Sequence, residues 1–249
     1  MKIREKRKEK KQKMKNKMLG SYLYGLRKGI PVLIGFLPVA ISYAIAATAG
    51  GMSAGETVGM SAAVFAGASQ IVATDMIASN AGSLAIIMAT FTLNLRHIIM
   101  SSCVFKKLKE KNWFVRTLVA FGVTDETFAI YTTEDDEKCD APFMLGLISI
   151  SYGSWVLGAL LGVILQRAMP ESLSQSFGIA LYALFIALIV PDIKKSLKLL
   201  LTVLLTILLN IGLSQLIDKS WAIIVATLLG AAIGTFIIEG LPTKNGRKI

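Results

Sequence analysis

The sequence predicts an all-α polytopic membrane protein with about six spanning helices and two re-entrant segments, arranged as an inverted-topology repeat. Three observations carry this. Of the 249 residues, 54% are hydrophobic, and the mean hydropathy is +0.61. The apolar residues gather in eight blocks, at 30–49, 57–79, 84–105, 113–133, 143–165, 176–190, 197–217 and 221–239. A block of about 20 apolar residues is what a hydrocarbon core of about 30 Å requires. The loops between the blocks are too short to fold as soluble domains, so chemistry is confined to the membrane and its faces.

The chain opens on a basic tail. The formal net charge is +11, and 12 of the 27 Lys and Arg lie in residues 1–28. A lysine-rich tail beside a first span is a cytoplasmic signal that also meets anionic lipid. No folded nucleic-acid module accompanies it, so nucleic acid is not expected as a partner. The block from Ile30 is longer than the apolar part of a cleaved leader, and further spans follow it. Pro31 suits a helix start, whereas Pro38 lies inside the first span and kinks it.

Charge counting decides which blocks cross. If all eight cross, the loops after the tail hold seven Lys and Arg on each side, which is no bias. If 57–79 and 176–190 enter and leave on one side, the count becomes 12 inside against two outside, Lys138 and Lys219. The acidic loop Glu134–Asp140 then falls outside. Length agrees for the second segment, since Phe177–Val190 reaches only about 21 Å before Pro191 stops it. The first is rich in Gly59, Ser61, Gly67, Ser69, Gln70, Thr74 and Asp75, a composition for packing inside protein rather than against lipid.

Each half then reads as span, re-entrant segment, span, span, within a single membrane domain over 29–241 whose half-repeats run about 29–135 and 142–241. Residues 242–249 form a second cytoplasmic tail. Faint internal similarity supports the repeat: Ile41-Ser42-Tyr43 recurs as Ile150-Ser151-Tyr152, Asp75 as Asp192, and Asn94 as Asn210. Gly158 with Gly162, and Gly230 with Gly234, present small faces for close helix contact.

Two constellations carry polar chemistry. In the third block, Asn94, Arg96 and the single histidine His97 interrupt an apolar run from Leu84 to Phe105; in the fourth, Asp125 and Glu126 do the same. A guanidinium at membrane depth costs at least about 2.5 kcal/mol unless a partner, a carbonyl or water faces it. If the two blocks are antiparallel spans, Arg96 and Glu126 both lie near mid-membrane, within pairing reach. The pair then either fixes helix register or meets a zwitterion, Arg96 taking a carboxylate and Asp125 or Glu126 an ammonium or a proton. His97 shares a helix face with Asn94 and has an imidazole able to relay protons. The second constellation is Phe65 to Gln70, where Gly67 permits close backbone approach and Ser69 and Gln70 offer donors and acceptors beside a broken helix.

Other chemistries find little support. There is no H-E-x-x-H and no metal-ligand cluster, so no enzyme activity is expected. Cys103 and Cys139 fit neither a C-x-x-C pair nor a metal cluster, and no cofactor is expected.

Taken in order, FAGASQ (65–70), NLRH (94–97) and TDETFA (124–129) resemble the AzlC family, the large subunit of bacterial branched-chain amino acid exporters. The resemblance runs from about Lys28 to Leu241. It implies export of leucine, isoleucine and valine across the bacterial cytoplasmic membrane, coupling to the proton gradient, and a small AzlD-type membrane subunit. It also marks Gly67, Ser69, Gln70, Asn94 and Arg96 as substrate-binding candidates, with His97, Asp125 and Glu126 as candidates for proton coupling or ion pairing. A channel, or an exporter of another small zwitterion, is the alternative.

Overall fold

A computed structural model describes residues 2–108, 110–168, 186, 190, 193–194 and 196–240. Among the described residues there are ten helices and no strand, and the chain is an all-α polytopic membrane protein. The helices are α1 (Lys2–Lys28), α2 (Ile30–Ala49), α3 (Ala54–Val64), α4 (Gly67–Ala78), α5 (Ser83–Leu108), α6 (Trp113–Gly122), α7 (Asp125–Thr133), α8 (Ala141–Ala168), α9 (Leu197–Leu213) and α10 (Lys219–Gly240). By length and composition α2, α5 and α8 are each able to cross a bilayer. The expected re-entrant segment 176–190, Asp192 and the tail 242–249 lie outside the described residues, apart from Ile186 and Val190.

The scaffold is a parallel pair, α2 against α8. Gly29 faces Ile150, Gly158 faces Leu37 and Ala40, and Gly162 faces Ile41 and Ala44, so the numbers rise together along both helices. A Cβ at Gly162 would stand 2.5 Å from the Ile41 carbonyl oxygen, so glycine is what lets these backbones touch. The last two turns of α1 continue alongside α8, where Gly25 meets Phe143 and Gly146 meets Tyr22. One end of the molecule therefore carries Lys28 and the start of α8, and is called the basic end below.

The segment 57–79 folds back as a hairpin of α3 and α4. Ser53 caps α3 in a reciprocal arrangement with Glu56, and the helix stops at Phe65, whose φ of 45° and ψ of 46° are left-handed. The two limbs open at the far end of α2, where Met52 Sδ lies 3.9 Å from Thr74 Oγ1 and Gly50 packs on Ala78. The tip reaches back to Phe36, with ring centroids 6.2 Å apart.

The segment 113–133, read as one span, is also a hairpin. Gly122 ends α6, Val123 and Thr124 are extended, and Thr124 caps α7 through a reciprocal pair with Thr127. Arg116 lies over the Phe105 ring at 4.4 Å, and the Val123 carbonyl, at the tip, meets His97 Nδ1 at 2.9 Å. On the return limb, Lys107 Nζ donates to the Thr132 carbonyl at 3.2 Å. Both limbs thus open beside the C-terminal end of α5. The physical reason is local: a threonine cap followed by two carboxylates is a helix start signal, and it begins a new helix inside the apolar block.

The acidic loop after α7 moves with this hairpin. It does not lie on the side away from the basic tail. Lys28 pairs with Glu134 at 2.8 Å, Lys107 with Asp136 at 3.0 Å, and Ser21 hydrogen-bonds Asp140. The charge rule counts Lys and Arg and takes little account of acids. An acidic run among lysines is electrostatically at home at the basic end. Glu134 also accepts from the Tyr24 hydroxyl and from Lys138, and these donors, Lys28 foremost, hold its carboxyl down from 4.5 to about 2.

Candidate functional site

The two hairpins enter from opposite ends and meet at their tips. Phe65 and Phe121 have ring centroids 6.2 Å apart, and Tyr152 of α8 stacks edge-on against both, at 5.3 Å and 5.7 Å. A phenylalanine in the left-handed region is strained by roughly 1–3 kcal/mol, and this aromatic packing is what holds Phe65 there. Because α4 and α7 both begin at these tips, two helix N-termini, each a partial positive charge, face the middle of the molecule.

The first tip is satisfied from within. Gln70 Oε1 accepts from the Ala66 backbone N–H at 3.2 Å and from Trp155 Nε1 at 3.0 Å, while its Nε2 donates to Ser61 Oγ at 3.3 Å. Ser69 Oγ donates to the Ala66 carbonyl at 2.9 Å, and Ser69 and Gln70 are both fully buried. Gly67 lies under the Trp155 ring, where a Cβ would stand 2.7 Å from it. Tyr152 and Tyr43 donate to the Ala62 and Thr57 carbonyls at 2.9 Å and 3.1 Å, tying α3 to α8 and α2. Of the three residues singled out in this motif, Ser69 and Gln70 hydrogen-bond the helix break at Ala66, and Gly67 makes room for Trp155.

The second tip is charged and open. Arg96 stands about 20 Å from the start of α5 and about 18 Å from its end. Its Nη1 lies 2.6 Å from Asp125 Oδ2, at the first residue of α7, and the two side chains are 41% and 51% exposed. Asp125, not Glu126, is the partner; Glu126 follows it on the same exposed turn. Next to Arg96 on α5, His97 Nε2 and Asn94 Oδ1 are buried and meet no hydrogen-bond partner among the described residues, and the same holds for Asn210 Oδ1 on α9. An exposed ion pair halfway along an apolar helix is not compatible with lipid contact and faces water, a ligand or protein.

Sequence reasoning set Arg96 and His97 opposite Asp125 and Glu126, with Asn94 on the face of His97; the structure pairs Arg96 with Asp125 and sets His97 on the Val123 carbonyl, two residues before Asp125. It missed Trp155, Tyr43, Tyr152, Phe121 and the Thr124–Thr127 cap. The available signal was the set of aromatic residues with polar ends inside apolar spans, which seek hydrogen-bond partners when buried. Among the described residues no three of His, Cys, Asp or Glu come together to hold a metal ion.

The family described as AzlC protein matches residues 31–169. The inner membrane protein YgaZ of Escherichia coli is 30% identical over 146 residues, covering 57% of this chain and 60% of that protein. An uncharacterized membrane protein of Archaeoglobus fulgidus is 36% identical over 140 residues, covering 56% of this chain and 60% of its own length. The branched-chain amino acid transport protein AzlC of Bacillus subtilis is 30% identical over 137 residues, covering 54% of each. The chain thus spans little more than half the length of the curated relatives it matches. No solved structure matches it.

Proposed function

The chain belongs to the AzlC family, and from that premise we propose that it is a secondary transporter exporting branched-chain amino acids across the cytoplasmic membrane. The observation that carries this reading is the half-exposed Arg96–Asp125 pair at mid-helix, where two hairpins meet. A zwitterion is the ligand that opens such a pair without net charge cost: its carboxylate takes the place of Asp125 on the Arg96 fork, and its ammonium meets the freed acid. Asp125 and Glu126 sit side by side, so one of them is free to carry a coupling proton. The Phe65–Phe121–Tyr152 contact closes the path between the tips, which favours alternating access over an open pore.

In this reading the aliphatic side chain lies against apolar surface from α5 and the aromatic cluster. A pocket of that kind separates leucine from valine by only about 1–3 kcal/mol per methylene, so the specificity is broad. The roles of Gly67, Ser69 and Gln70 are to hold the first tip in shape beside the substrate. The basic end is cytoplasmic, with α1 resting on anionic lipid, and a small AzlD-type membrane subunit completes the exporter. The test is efflux of preloaded labelled leucine from cells expressing the chain, with and without a candidate small subunit. Efflux of leucine but not lysine, abolished in Arg96→Ala at equal membrane abundance, is the expected result. Full efflux in that variant removes Arg96 from the mechanism, and absence of efflux in every combination removes the substrate class.

A further inference from the structure

His97 is engaged on one side only. Its Nδ1 lies 2.9 Å from the Val123 carbonyl oxygen, and since a carbonyl only accepts, Nδ1 carries the proton. In the neutral ring Nε2 is then a bare lone pair, and it is buried without a donor among the described residues. Asn94 Oδ1 is in the same condition. Residues three apart on a helix have Cβ atoms about 5–6 Å apart, so the two residues with unpaired acceptors share one face of α5. Buried acceptors in a helical membrane protein are ordinarily paired, and adjacent exceptions point to a ligand that brings the donors. Arg96, one residue from His97, already answers a carboxylate.

We propose that His97 Nε2 and Asn94 Oδ1 are the ammonium-accepting half of the substrate site, each taking one N–H of an α-amino group whose carboxylate is held by Arg96. This rests on the reading of the chain as an amino acid exporter and assigns what that reading leaves open. A primary ammonium has three N–H donors and no acceptor, which matches two lone pairs with one donor left for Asp125 or water. Glu126 is thereby left without a substrate contact and free for the coupling proton.

The experiment is equilibrium binding to the full chain in lipid nanodiscs, with and without the candidate small subunit, comparing labelled leucine with 4-methylpentanoate, which keeps the carboxylate and side chain but lacks the amino group. His97→Asn places an amide N–H where Nδ1 was and removes the far acceptor; His97→Gln places an amide oxygen where Nε2 was. The preference for leucine over 4-methylpentanoate falls by about tenfold or more in His97→Asn and Asn94→Leu. It is kept in His97→Gln. A histidine that merely steadied the Val123 carbonyl would give the reverse order. That reversed order, or an unchanged preference in both His97→Asn and Asn94→Leu, overturns the inference and leaves the exporter reading standing. Wild-type protein that binds no leucine overturns the exporter reading, and the inference falls with it.

Discussion

Gln70 shows how much one side chain does in a broken helix. Its amide oxygen holds Ala66 and Trp155 together, and its nitrogen reaches Ser61. Gln70→Leu keeps the volume and orphans buried donors, each costing about 1–3 kcal/mol. The variant should melt several degrees below wild type in detergent, and an unchanged melting temperature would mean that water replaces the amide. The motif was legible as polar residues in an apolar block. The partner was not, because Trp155 lies 85 residues further along and hydropathy carries no distance information. The Arg96 pairing was half legible for a similar reason. Both carboxylates were within reach on a straight helix, and the break at Val123–Thr124 brought the first of them, Asp125, to the guanidinium.

At the scale of elements, the instructive case is the block 113–133. Its hydropathy alone cannot distinguish a straight span from two short limbs, since both bury the same apolar residues. The information lay in Thr124 and Thr127, whose capping pair outweighs the continuity of the apolar run. The hairpin makes a topological prediction. With Cys103 replaced by serine, cysteines introduced at Lys15 and Glu137 should react with a membrane-impermeant thiol reagent from one face, and a cysteine at Asn80 from the other. Labelling of the Glu137 position together with the Asn80 position would return 113–133 to a crossing helix. The hairpin 57–79 was easier to read because its glycines, serines and glutamine dilute the apolar run over its whole length.

At the scale of the molecule, Lys28 and Tyr24 of α1 and Lys138 of the acidic loop converge at the basic end on one carboxylate. Glu134 has its folded-state value depressed from 4.5 to about 2, so its stabilisation is fully present above the ordinary carboxylate range and is lost as pH falls through that interval. Thermal stability should therefore fall as the pH drops from about 5 to about 2, and Lys28→Ala should blunt that acid sensitivity. Equal losses in both proteins would show that the cluster is idle. This convergence was illegible in the sequence, since charge counting sent the acidic loop to the opposite side. The positions of the apolar blocks among the described residues were legible, because transfer free energy depends on composition alone; which blocks meet depends on shape.

The tight α2–α8 contact joins the first crossing to one completed more than 100 residues later. Until α8 emerges from the ribosome and enters the bilayer, the first hairpin has neither Trp155 nor Tyr152 to close its break. Its exposed amide groups must wait in the insertion machinery or in water, not in lipid. Synthesis order thus makes α8 the keystone of assembly, the helix that brings the partners of Gln70 and of the Ala62 carbonyl.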